Sequence, residues 1–139
     1  MKIITKNLIR FAIVFTIGAI VFRYGLSHFF TNHWFNQVWI IAVVYFFFNL
    51  GIGWFYGKKD YETLPLFDIG FRFHFTTYLL FNIVSELWYH FGYPSQFESI
   101  KSIHQTAIFW GIGLIVHFIV YLIVRNRTIS GIERSEIFE

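Results

Sequence analysis

Apolar residues in this chain run continuously instead of alternating with polar ones. They gather into four blocks, roughly residues 8–29, 37–57, 69–91 and 104–124. Strict alternation would indicate half-buried strands, and a one-sided stripe would indicate the surface helix of a soluble domain. These blocks are apolar nearly all the way round. Each is close to the ~20 residues that an α-helix needs to cross a hydrocarbon core of about 30 Å. The pattern therefore predicts an all-α protein, an integral membrane four-helix bundle forming a single membrane domain over 1–139, with a polar cytoplasmic tail at 125–139. The second and fourth blocks are the cleanest, since 38–56 and 107–124 contain no formally charged residue. Arg23 interrupts the first block, and Arg72 and Glu86 interrupt the third.

Composition strengthens this reading. Of the 139 residues 56 % are hydrophobic and 14 % charged, against the ~25 % charged residues of an ordinary soluble domain. A fold this short leaves much of its surface exposed, so it cannot hide that much apolar side chain in its own core. Lipid is the natural place for the excess. Aromatics reach 24 %, with 20 Phe, which suits lipid-facing helices and interfacial belts. The chain has no Cys, which excludes disulfides, thiolate metal sites, iron–sulfur clusters and a Cys nucleophile.

The net charge of +3 might suggest nucleic acid in a soluble protein, but the basic residues here sit at the ends of the blocks. No nucleic-acid partner is expected. Lys2, Lys6 and Arg10 precede the first block, Lys58, Lys59 and Arg72 surround the middle connection, and Arg125, Arg127 and Arg134 follow the last. Only Arg23 and Lys101 fall on the other side. By the positive-inside rule both termini and the middle connection are cytoplasmic (N-in/C-in), in a multi-pass protein of the bacterial inner membrane. The first block has the basic start of a signal peptide. It is followed by Arg23-Tyr24-Gly25 and lacks a small-x-small cleavage site, so an uncleaved span is expected.

The outward connections, 24–36 and 92–103, carry His28, His33, Pro94 and Lys101. The cytoplasmic one, 58–68, mixes charge with Leu64, Pro65, Leu66 and Phe67, as a short interfacial segment would. The tail from 126 has no room for a core and reads as a frayed end or a partner contact. An echo links Tyr45-x-x-x-Asn49 with Trp54 and Tyr56 to Tyr78-x-x-x-Asn82 with Trp88 and Tyr89. Shared helix chemistry explains it as well as a duplication does.

Polar groups inside a bilayer are costly and usually face a protein interior or a cavity. His74, Tyr78 and Asn82 recur every four residues and so share one face of the third helix. His74 and His117 lie at depths of roughly 8 and 12 Å from the same side of the membrane, near enough to meet. The plainer reading of His74, Tyr78, Asn82 and His117 is an interhelical hydrogen-bonded cluster with no cofactor. The sharper one is a b-type haem, a metal ion or a quinone head group between two neutral imidazoles. Gly111 and Gly113 would let a neighbouring helix approach closely.

On the outward side Glu86 and His90 are four apart, and His104 begins the next block nearby. Carboxylate and imidazoles together suit a transition metal, although loop histidines are more often merely solvated. Glu86 has a competing partner in Arg23, at matched depth on the first helix, and an Arg23–Glu86 ion pair would neutralise two intramembrane charges at once. The alternative is that both side chains snorkel to the interface. Gly51-x-Gly53 and Gly111-x-Gly113 lie inside apolar helices and are not nucleotide loops. Ser27, Thr76 and Ser85 have no base in a recognisable motif, and an enzyme is not expected.

Two stretches carry a resemblance. Phe71-x-x-His74-x-x-x-Tyr78-x-x-x-Asn82 and Trp110-Gly111-Ile112-Gly113-Leu114-x-x-His117 resemble the two-transmembrane (2TM) domain found widely in Bacteroidota, over about 71–122. The connector departs from the family, which usually carries more Trp and Pro where this chain has His104-Gln105-Thr106. The family has no assigned biochemical activity and occurs alone or joined to signalling modules such as histidine kinases. The resemblance therefore implies an envelope role in signalling and supplies no mechanism.

These readings favour a non-enzymatic membrane protein, a sensor, effector or assembly subunit acting through helix packing. Its expected partners are the lipid bilayer, further copies of itself in a homo-oligomer, and a membrane or cytoplasmic signalling protein. The alternatives are a haem- or quinone-binding redox subunit built on His74 and His117, and a small channel or membrane-perturbing effector.

Overall fold

The computed structural model describes residues 4–61 and 64–135, with 127–135 as backbone alone. Every regular element among them is helical: α1 (Lys6–Thr31), a 3-10 turn (Phe35–Gln37), α2 (Val38–Asp60), α3 (Leu66–His90) and α4 (Ile100–Ser135).

Local chemistry sets the boundaries. Thr5 is extended, and its hydroxyl accepts from Leu8 N at 3.0 Å, capping α1. Pro65, which has no amide hydrogen to lose, stands before α3 and accepts at its carbonyl from Asp68 N and Ile69 N. Ser99 stands before α4, and its hydroxyl accepts from Ser102 N at 3.3 Å. The ends of α1 and α3 share one geometry. Gly92 has φ +77, with Gly92 N bonded to Tyr89 O and Tyr93 N to Trp88 O. His33 has φ 61, with matching bonds to Phe30 O from His33 N and to Phe29 O from Trp34 N. This is the helix stop that places one residue in the left-handed region. Glycine takes that position freely, whereas His33 takes it against its own Cβ.

α1 is the centre of the packing. It lies between α2 and α3, and α4 packs on α3 with no close backbone approach to α1 or α2. The core consists of Phe11, Phe15 and Ala19 of α1, Ile69, Phe73 and Val84 of α3, and Leu64, with Tyr45, Ile52 and Tyr56 of α2 packed against it. α2 meets α1 over two glycines: a Cβ at Gly18 would strike the Phe48 ring, and one at Gly25 would strike Ile41. The bundle is thus open, a chain of helix pairs instead of a closed square.

Three helical stretches are long and apolar enough to cross a membrane, Lys6–Thr31, Phe35–Asp60 and Ile100–Asn126. α3 matches them in length at 25 residues but carries Asp68, Arg72 and Glu86 and is less apolar. Like α1 it is packed on two neighbours, with α1 on one side and α4 on the other. α2 is the opposite case. Its one buried residue is Asp60, and none of its apolar window is buried. α4 continues as helix beyond its apolar part to Ser135, where the sequence predicted a polar tail. The end of that tail, 136–139, lies outside the described residues.

At the end of the bundle that holds the N-terminus, Asp60 accepts from the Thr5 hydroxyl at 2.5 Å and from Asn7 Nδ2 at 2.8 Å. A buried carboxylate is stabilised there by the unpaired amides of the α1 N-terminus. Asp68 and Arg72 pair one turn apart at 2.6 Å. The 58–68 connection is therefore tied to the bundle through Leu64, Asp60 and Asp68, all buried.

Candidate functional site

The expected cluster on α3 and α4 forms in part. His74 and His117 face each other with their Nδ1 atoms 3.1 Å apart, and Trp110 Nε1 donates to His74 Nε2 at 2.9 Å. The proton order follows from the donors. An indole N–H can only donate, so His74 Nε2 holds the lone pair and His74 Nδ1 carries the proton. That proton points at His117 Nδ1, which leaves the His117 proton on Nε2, the atom facing Gly70. The result is a directional chain, Trp110 to His74 to His117, in which both imidazole lone pairs already accept a hydrogen bond. A haem iron or another metal ion would have to displace one of those donors. The geometry is that of a packing device.

Tyr78 and Asn82 stand apart from this chain. The Tyr78 hydroxyl donates to Ala107 O at 3.3 Å, and Asn82 Nδ2 returns to Tyr78 O at 2.7 Å. Gly111 admits the phenol, since a Cβ there would sit 3.1 Å from the Tyr78 oxygen. Gly113 has nothing within 4 Å, so the expected pair of packing glycines reduces to Gly111. Trp110 is the member the sequence reading left out. It lies two turns before His117 on the same face, inside the motif that carries the family resemblance.

The Arg23–Glu86 pair is not formed. Arg23 Nη2 lies 2.8 Å from Glu98 Oε1, with both side chains only 7 % exposed. Glu98 Oε2 accepts from the Ser27 hydroxyl at 2.6 Å and from Ser95 N at 2.9 Å, and Trp88 Nε1 donates to Ser27 Oγ at 3.1 Å. The depths of Arg23 and Glu86 match, but their directions do not. Consecutive helical residues point about 100° apart. Ser85 takes the side facing Arg23, and Glu86 turns toward α4, where it meets His104 Nε2 at 2.8 Å on a largely exposed surface. Glu98 escaped notice because it lies in a connection, whose path back into the bundle leaves no periodic signal.

The outward metal site is likewise corrected. Glu86 and His104 meet, but His90 does not complete them, and among the described residues no three His, Cys, Asp or Glu side chains are grouped to hold a metal ion. The other two histidines of this end are ring partners. His28 contacts Tyr24 and Trp34, and His33 contacts Phe35 and Phe97.

A cavity of about 260 Å³ opens beside the Arg23–Glu98 pair, between α1, α3 and the start of α4. Asn82 and Ser85 of α3 and Ser102 and Thr106 of α4 supply its polar lining, and Phe22, Phe81 and Phe97 are among its apolar walls. The chain matches no family model, no curated protein and no solved structure.

Proposed function

We propose that this is a non-enzymatic integral membrane protein of the bacterial inner membrane, crossing four times with both termini cytoplasmic. Its exterior carries the proposal. α2 turns Trp39, Phe47 and Trp54 outward at 64, 64 and 77 % exposure, and α4 does the same with Ile108 and Phe109. In water, apolar exposure on this scale would drive aggregation, while in lipid it costs nothing. α3 serves as the fourth crossing in this reading, since it is packed between α1 and α4, Asp68 and Arg72 pair with each other, and Glu86 meets His104 near the outward end. The resemblance to the 2TM domain supports an envelope role as a sensor, effector or assembly subunit. The helical extension of α4 past Asn126 offers a rigid lever to a cytoplasmic signalling partner.

The test uses the absence of native Cys. Single Cys residues placed at Asn32, Lys59 and Gln96 are labelled in intact cells with a maleimide that does not cross membranes. Asn32→Cys and Gln96→Cys are expected to react from outside and Lys59→Cys only after lysis. Outside labelling of Lys59→Cys, or release of the protein by alkaline carbonate, contradicts the proposed crossings.

The redox reading on His74 and His117 is weakened by the occupied lone pairs and is checked by absorption of the purified protein. The packing role predicts no Soret band, together with a loss of thermal stability in His74→Leu, which orphans the Trp110 N–H at a cost of about 1–3 kcal/mol. A Soret band that disappears in both His74→Ala and His117→Ala would replace the packing role with haem ligation.

A further inference from the structure

The cavity beside Arg23 contains two buried polar groups that find no hydrogen-bond partner among the described residues. Ser85 is 2 % exposed and its hydroxyl has no hydrogen-bond partner, although a helical serine can usually return its proton to a carbonyl one turn back. Arg23 is 6 % exposed and its Nε–H is equally unpartnered, even though the guanidinium is held by Glu98 at its other end. Both residues line the same cavity. Buried donors are paired as a rule, and each exception calls for a specific explanation.

We infer that this cavity is a binding site for the head group of a small, uncharged, carbonyl-bearing aromatic compound, the chemistry of a quinone. Three observations narrow the class. The site is already neutral, because the Arg23 charge is matched by Glu98, whose second oxygen is filled by Ser27 and Ser95. An anion would have to compete with Glu98, and a cation would find no free negative group. The two open donors require an acceptor on the ligand, since an Nε–H cannot accept. The rest of the lining pairs the aromatic rings of Phe22, Phe81 and Phe97 with the neutral polar side chains of Asn82, Ser102 and Thr106, which suits a ring that carries carbonyls. The volume, about 260 Å³, falls just below the ~300 Å³ at which pockets begin to hold drug-sized molecules, which suits a head group with its tail left outside. In a bundle surrounded by lipid that tail has an apolar phase to occupy. The site is separate from the His74–His117 chain, neither residue of which lines it.

The inference adds a ligand to the membrane protein proposed above, and its test leaves that reading independent. The detergent-purified full chain is titrated with a short-chain benzoquinone while tryptophan emission is followed, Trp88 being hydrogen-bonded to Ser27 at the edge of the site. The expected result is saturable quenching, weakened roughly tenfold in Ser85→Ala by loss of one hydrogen bond. It should be abolished in Ser85→Leu, whose side chain would fill the cavity. A methylated benzene of the same outline without carbonyls should displace the quinone from the wild-type chain, read as recovered emission, only at concentrations at least tenfold higher than unquenching by an equal-affinity ring would need. That comparison decides the matter even if a variant fails to fold. Quenching that rises linearly without saturation, or that is unchanged in Ser85→Ala, or equal binding of the carbonyl-free ring, means a water-filled void only and overturns the inference. Any of these outcomes leaves the cysteine-labelling result untouched.

Discussion

At the scale of single residues, the Arg23–Glu98 pair has the largest energetic consequence. Two charges removed from water gain little net stability together, but removing one strands the other, at a cost typically of 3–5 kcal/mol for a buried pair. Both side chains are 7 % exposed, so neither can turn to solvent without moving the 91–99 connection. Glu98→Ala is therefore expected to destabilise the protein by about 3 kcal/mol, read from denaturant unfolding in mixed micelles. The double variant Arg23→Met with Glu98→Leu should cost less than Glu98→Ala alone, because it leaves no orphaned charge. A loss below about 1 kcal/mol in Glu98→Ala would mean that Arg23 finds another partner, such as water in the adjoining cavity. The sequence offered Arg23 either a counter-charge, named there as Glu86, or a route to the interface by snorkelling. It could not show which one. Depth follows from counting residues along a helix, whereas the partner depends on azimuth and on how a nine-residue connection folds back over the bundle end. His74 and His117 lie on two uninterrupted helices, so counting alone was sufficient to bring them together.

At the scale of the elements, close packing between α3 and α4 depends on Gly111, and its neighbour two residues on provides the control. The phenol of Tyr78 lies against Gly111, while Gly113 has open space around it. Gly111→Leu should force Tyr78 aside and cost about 1–3 kcal/mol through overpacking. Gly113→Ala should be neutral or stabilise by about 0.5 kcal/mol, because alanine is the better helix former. Equal effects at the two positions would show that the α3–α4 approach is not as close as the Tyr78 contact implies. The apolar blocks located all four helices because continuous hydrophobicity reports a membrane-sized element directly. They were less informative about the ends. Thr5, Pro65 and Ser99 act through single hydrogen bonds or a missing donor, which no hydropathy average registers. α4 runs to Ser135 for the same reason: a helix leaving an apolar phase changes its side chains without changing its backbone. The polar residues that set the third block apart in the sequence belong to a helix that, like α1, has neighbours on two sides.

At the scale of the whole molecule, the open arrangement has a consequence for assembly. A closed four-helix bundle would give each helix two neighbours, yet α4 has only α3. One of its other faces presents Phe109, Val116 and Val120, all at least half exposed and on the same side of the helix as Gly113. Lipid can cover such a surface, so exposure alone does not demand a partner. What favours a second copy is the combination of that surface with Gly113, where nothing stands within 4 Å and another helix could approach to backbone distance. A two-fold contact of α4 with α4 is self-complementary, and it would bring the cytoplasmic extensions of both copies side by side, the arrangement a signalling output needs. Val116→Cys, introduced into a chain with no other thiol, is expected to form a disulfide-linked dimer when membranes are oxidised. Trp54→Cys, on the outward face of α2 in the other half of the bundle, should remain monomeric under the same conditions. Cross-linking at both positions would indicate random collision, and at neither would indicate that lipid covers α4. Cross-linking at Val116→Cys that Gly113→Leu abolishes, with α-helical content unchanged, would locate the assembly contact on this one helix.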